Sequence, residues 1–352
     1  MSARLGRSGL TLLVAVVAAA LAAGNASPAA DRPVEKRLSA AGLRAGLRPV
    51  RARVITGRVF RRLAAQPGAW GGTYTAKSGA RVTIYSSPAY TVDQSVNQAA
   101  ADYLDSLVHG PEISSVKIYL APPAEVGTLC RSAEADGCYF SATGDIITIG
   151  EDTQWSTVEE VVTHEYGHHI ANNRVNQPWP SVAYGTKRWA TYEGICAKEA
   201  AGSAFPGDEG GHYRQNPGEA FAESYLHLNE VKLGVPETPW AYDPMFAPDA
   251  QSMAAIEQDV LNPWKEDALK SFSGRFSRRG QRKTVTFRTP LDGVFAVELH
   301  GPPGSTVRLS GPPEIKRLSP RLSGALVCGQ RTVTAKLTAG GAGRFVAVTA
   351  TP

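Results

Sequence analysis

Ser156-Thr157-Val158-Glu159-Glu160-Val161-Val162-Thr163-His164-Glu165-Tyr166-Gly167-His168-His169-Ile170 is the stretch from which the rest of the chain can be organised. Ser156 with Glu159 three residues later has the pattern of a capping box, in which each side chain satisfies a backbone donor that a helix's first turn leaves free. Val158, Val162, Tyr166 and Ile170 recur every fourth residue, so the spacing predicts a helix with one apolar ridge that runs to about Asn172. Within it, His164-Glu165-Tyr166-Gly167-His168 is an H-E-x-x-H sequence. Residues four apart lie one turn above each other, so both imidazoles can reach one cation while Glu165 lies beside them, close to a metal-bound water. His169 points about 100° away from His168 and reads as a packed or hydrogen-bonded histidine. His109, His227 and His300 have no ligand-like partner nearby in sequence.

Catalytic zinc sites usually take three protein ligands, and the segment Asn216-Pro217-Gly218-Glu219-Ala220-Phe221-Ala222-Glu223 offers the third. Asn is a good N-cap and Pro is favoured in the first helical turn, so a second helix starts here. Glu219 and Glu223 share a face of it: Glu219 is assigned as metal ligand, and Glu223 as acceptor of a hydrogen bond that fixes a ligating imidazole. The competing reading makes Glu219 the capping-box partner of Asn216 and turns Glu223 to solvent. Zinc lowers the pKa of bound water and Glu165 takes its proton for attack on a peptide carbonyl. The oxyanion needs a further donor; Tyr213 is the first choice and His212 the second.

HEYGHH followed by NPGEAFAE resembles the gluzincin branch of zinc metallopeptidases, over about residues 75 to 230. In that branch two His of one helix and a Glu of another bind zinc. The arrangement is similar to the thermolysin pattern, with Glu223 where that family has Asp and with a Pro-Gly insertion before Glu219. The anthrax lethal-factor type is closer, having Glu-x-x-x-Glu and a tyrosine upstream of the ligand, for which Tyr213 is the candidate. The resemblance implies a zincin-like α+β fold, one catalytic Zn2+ and a peptide or protein substrate. A rival expectation is a non-catalytic secreted binding protein that keeps the zincin fold around a structural zinc.

Working outward, Arg81 to Tyr85 and Val116 to Leu120 read as strands and Val92 to Val108 as a helix. Ile146 to Ile149 reads as a strand, either in the core or at an edge that pairs with substrate backbone. Arg188 to Ala200 forms a further helix, and one from Ser252 to Leu261 closes a catalytic domain spanning 71–263. Beyond it, short alternating strands such as KTVTFRT and RFVAVTAT over 271–352 predict a small all-β domain, a β-sandwich, able to bind a surface or polymer.

At the other end, Arg4 and Arg7 precede an apolar stretch from Leu10 to Ala23, followed by Gly24, Asn25 and Ala26. This is the pattern of a cleaved export signal over 1–26; the run is shorter than the ~20 residues of a spanning helix, so no stable membrane insertion is expected. Residues 27–70 then read as a basic pro-region or extension. The chain carries +5, yet residues 31–62 alone hold ten Lys or Arg against two acids, and Arg4 and Arg7 add two more, which leaves residues 63–352 at −5. Such a confined basic tract argues against nucleic-acid binding. In an exported protein the four cysteines can form disulfides: Cys130 with Cys138 across a short polar loop, and Cys196 with Cys328 by remainder.

Overall fold

The structure is a computed structural model, and it describes residues 53–55, 57–310 and 316–352. The expected signal over 1–26, and the extension as far as residue 52, lie outside the described residues. These divide into a mixed helix-and-sheet unit ending at Trp264 and an all-strand unit from Lys265 to Pro352. The chain is thus α+β in class.

In the first unit, six strands form one mixed sheet: β1 (Val54–Ile55), β2 (Trp70–Thr75), β3 (Arg81–Ser86), β4 (Lys117–Ala121), β5 (Gly137–Phe140) and β6 (Asp145–Ile149). Their order is β1-β5-β6-β4-β3-β2. β3, β4 and β6 run parallel, whereas β2 and β5 are antiparallel to their neighbours β3 and β6. Alternation along β4 and β6 assigns side chains to the two faces. Ile118, Leu120 and Ile146 join one apolar cluster; Tyr119, Ala121, Ile147 and Ile149 join the other. Every residue of β6 is buried, as a central strand covered on both faces requires. The edge role open to Ile146–Ile149 is therefore excluded: β6 is paired on both sides, and β5 separates it from β1.

Nine α-helices surround the sheet among the described residues: α1 (Phe60–Ala64), α2 (Gln94–Ser106), α3 (Pro123–Leu129), α4 (Val158–Asn172), α5 (Ser181–Tyr184), α6 (Lys187–Tyr192), α7 (Ile195–Ala200), α8 (Pro217–Leu233) and α9 (Ala250–Leu261). The fold takes in part of the expected extension. Val54 and Ile55 pair with β5, and Phe60 and Leu63 of α1 are buried beneath the sheet. The single helix expected over Arg188 to Ala200 is two, because Gly194 adopts φ +65°, a left-handed conformation that interrupts the ladder.

Two corrections concern α4. Its capping box is formed by Thr157 and Glu160, one residue later than expected, while the Ser156 hydroxyl donates to Asp136 at 3.0 Å. The helix is also not a one-faced ridge: every residue from Val161 to Ala171 is buried. A helix enclosed all round belongs to the interior, and α4 is held there by α8. A Cβ at Gly167 would come within 2.8 Å of the Ala222 backbone, so the glycine sets how closely the two helices cross. α8 starts as its sequence predicts, with Asn216 accepting from Gly218 N at 3.0 Å and Pro217 in its first turn. At Gly218 a Cβ would lie 2.5 Å from the Val182 carbonyl oxygen, which accounts for glycine beside the proline.

The second unit consists of β7 (Ala268–Phe276), β8 (Arg282–Thr289), β9 (Gly293–His300), β10 (Thr306–Ser310), β11 (Lys316–Ser319), β12 (Leu322–Val327), β13 (Arg331–Thr338) and β14 (Gly343–Thr351). They form two antiparallel sheets, β10-β13-β8 and β11-β12-β9-β14-β7. Phe276, Phe295 and Leu299 from one sheet share a core with Phe287, Val333 and Leu337 from the other.

Candidate metal centre

α4 and α8 direct five ionisable side chains to one point: His164, Glu165, His168, Glu219 and Glu223 each have 0% exposure. His164 Nε2 lies 3.2 Å from Glu219 Oε2, and His168 Nε2 lies 3.3 Å from Glu219 Oε1. One ligand atom from each of these three residues falls within 4.8 Å of the other two. This buried group can hold a metal ion. Burying charge in a low-dielectric interior is costly unless it is compensated. Here compensation by protein groups is incomplete: His168 Nδ1 and both carboxylate oxygens of Glu165 have no hydrogen-bond partner, and His168 Nε2 and Glu219 Oε1 face only each other. Two imidazoles and a carboxylate converging on one point form a donor set that fits a divalent cation, which would displace the proton His164 shares with its carboxylate neighbours.

Glu223 occupies the outer position its spacing suggests. Its Oε2 lies 2.9 Å from His164 Nδ1, which directs the other nitrogen, Nε2, towards Glu219. His164 and His168 consequently titrate in opposite directions. Burial depresses both, but hydrogen bonds and charge from Glu219 and Glu223 reverse this at His164 and push it up to about 10. His168 has only Glu219 to oppose burial, is further disfavoured by the charge of His164, and stays below its ordinary value. Burial also raises Glu219, but the two imidazoles overcome it and hold the carboxyl well below the usual range.

Glu165 is the remaining member of the motif. Both its carboxylate oxygens are buried with no hydrogen-bond partner, and burial, assisted by the charge of Glu219, raises its pKa well above the usual range. Against it lies β5: a Cβ built on Gly137 would sit 2.6 Å from Glu165 Oε1. Two residues along the same strand, the buried Tyr139 stacks on His168 with ring centroids 6.2 Å apart.

Tyr213 reaches the centre from a short 3-10 turn, Tyr213–Gln215, that precedes α8, and its hydroxyl donates to Glu219 Oε2 at 2.7 Å. His212, the second choice for this role, is turned away. It stacks on Phe205 at 3.8 Å and pairs through Nδ1 with Asp208 at 2.8 Å. His169 is hydrogen-bonded in the core, with Nε2 3.1 Å from the Glu112 carbonyl and Nδ1 3.3 Å from the Tyr139 hydroxyl. His109, His227 and His300 pair with carboxylates elsewhere.

Two further residues belong to the site. Tyr242, from the irregular segment after α8, stacks on His164 with centroids 6.3 Å apart and places its hydroxyl 3.4 Å from that of Tyr213. Glu209, from the loop before Tyr213, is pushed up to about 9 by burial and by the charges of Glu219 and Glu165. Neither stands in a periodic element, so neither carries a local sequence signal.

Cys130 and Cys138 form a disulfide with a Cα–Cα distance of 5.7 Å that closes the loop into β5. Cys196 and Cys328 are also disulfide-bonded, and no free cysteine occurs among the described residues. No helix of the described residues is long and apolar enough to cross a membrane. No family model matches the chain, and no curated protein matches it.

Proposed function

We propose that the chain is a secreted, zinc-dependent metallopeptidase of gluzincin type, with a zincin-like first unit that hydrolyses peptide bonds. The observation that carries this reading is the partnerless, fully buried Glu165 carboxylate beside the His164, His168 and Glu219 group. A site that served only structure would need the ligands but no base.

His164, His168 and Glu219 would hold the ion. When bound there, zinc supplies a Lewis acid that acidifies water and polarises a carbonyl. Glu165 accepts the proton of the attacking water and returns it to the nitrogen of the departing amine, so that one water and one peptide bond become a carboxylic acid and an amine. Burial raises the proton affinity of that carboxyl, which suits it to receive the proton. Tyr213 has a hydroxyl at the edge of the ligand group and serves as a donor to the oxyanion, with Tyr242 behind it. Glu223 fixes the His164 ring. Disulfide bonding of all four cysteines accords with an oxidising, extracellular compartment.

Glu165→Gln tests the reading directly. It keeps the shape of the side chain and removes the base, so zinc content should be unchanged while peptide cleavage falls by about 10² to 10⁴. Equal cleavage by the two proteins would refute the mechanism.

A further inference from the structure

A strand edge beside a reactive site is a natural seat for an extended peptide, because its free backbone groups can pair with another chain. In this sheet that strand is β5, which carries Gly137 against Glu165 and Tyr139 against His168. One side of β5 is paired with β6. On the other side the chain supplies its own occupant. Val54 and Ile55 align with Tyr139 and Phe140 in parallel register. Tyr139 N donates to the Arg53 carbonyl at 2.9 Å, and Ser141 N donates to the Ile55 carbonyl at 3.2 Å. The flanks are fixed as well, since Arg53 Nη1 donates to the Arg131 carbonyl at 3.1 Å and Ile55 is buried among residues of the sheet's lower core. The Val54 amide and the Arg53 charge both stabilise the ionised form of Glu209, which in turn feels the charges of Glu165 and Glu219.

We infer that Arg53–Ile55 is a self-supplied strand occupying the peptide-binding edge of the proposed active site, and that it must leave β5 before a substrate can pair there. The inference rests on the hydrolytic reading of that site. A two-residue strand is too short to hold an edge by itself. This one is tethered a few residues away to α1, whose Phe60 and Leu63 are 6% and 1% exposed. Tethering raises its effective concentration to the order of millimolar, enough to compete with a peptide in solution. The N–H groups of Tyr139 and Ser141 cannot serve both chains, so self-pairing and substrate pairing are alternatives.

The test uses the full zinc-loaded chain and two variants, Ile55→Pro, which disrupts the pairing, and Arg53→Glu, which places a negative charge near Glu209 at a half-buried position. Two quantities are measured: affinity for a peptidyl hydroxamate, and kcat/KM for a peptide substrate. Freeing the edge should raise both by about tenfold in Ile55→Pro and by a smaller factor in Arg53→Glu, as expected if the open state is a minority. A synthetic peptide of residues 50–60 should reverse the gain. Hydroxamate affinity equal to that of the parent chain in both variants overturns the inference; if Ile55→Pro fails to fold, an unchanged affinity in Arg53→Glu overturns it alone. Tighter hydroxamate binding with no cleavage by any form would uphold the occupied edge and refute the hydrolytic reading.

Discussion

In the first unit the buried polar side chains include His164, Glu165, His168, Glu219 and Glu223, gathered around one point, whereas in the second, among the described residues, they are Thr289, Asp292, Ser305, Ser323, Thr349 and Thr351. The second group is used locally. Asp292 accepts from Gly329 N, Ser305 accepts from Gly340 N at 3.0 Å, and Thr289 accepts from Arg331 N at 3.1 Å, so each fastens one strand end to the next. The first group leaves six side-chain atoms of His168, Glu165, Glu219 and Glu223 without a hydrogen bond, two of which, His168 Nε2 and Glu219 Oε1, lie 3.3 Å apart, and no such orphan occurs in the second unit among the described residues. Buried polar atoms are nearly always satisfied. The first unit has scattered orphans as well, such as Thr148 Oγ1 and Trp189 Nε1, but only around His164, His168 and Glu219 do they converge on a donor set that a ligand would complete.

The contrast can be broken most forcefully by removing metal. If zinc at about a thousand times its dissociation constant stabilises the site by roughly 4 kcal/mol, chelation should lower the melting transition of the first unit by about 10 °C. The transition of the second unit should stay in place. Calorimetry of the full chain with and without chelator checks this, and equal shifts of both transitions would remove the distinction. Next in size, Glu223→Gln loosens the hold on His164 without removing a ligand. Zinc affinity should fall about 10- to 100-fold, read by competition with a chromophoric chelator.

A smaller effect follows from His164. With its pKa raised to about 10, the metal-free imidazole retains a proton at neutral pH that zinc must displace. Apparent affinity should therefore rise about tenfold for each pH unit between roughly 7 and 9. A histidine at its ordinary value would give a plateau there, since it is already deprotonated above about 6.5. The smallest effect on the metal site belongs to Leu337→Ala in the core of the second unit. It should cost about 2–5 kcal/mol of that unit's stability, yet zinc content measured on the folded protein should not change.

What was legible in the sequence was local. The helical spacing of His164 and His168, the cap at Asn216 and the shared face of Glu219 and Glu223 each depend on a few neighbouring residues, and each is realised in the fold. The cap of α4 was misplaced by one position because Ser156 and Thr157 both have a glutamate three residues on, and only the bond from Ser156 to Asp136 distinguishes them. Strand order is not local, which is why β6 could be read as an edge although β5 and β4 flank it and β1 and β2 hold the edges. Tyr242 and Glu209 come from aperiodic segments and reach the site only through the packing of α8 and its preceding loop. β1 lies at the end of the basic tract and is two residues long, too short for any alternation to register.

Metal analysis of the purified full chain, beside Glu219→Ala prepared identically, addresses the claim on which everything else depends. The arrangement of His164, His168 and Glu219 predicts one zinc per chain in the parent protein and a much smaller fraction in the variant. A parent chain that takes up no zinc from a modest excess, or a variant that retains as much as the parent, would contradict it.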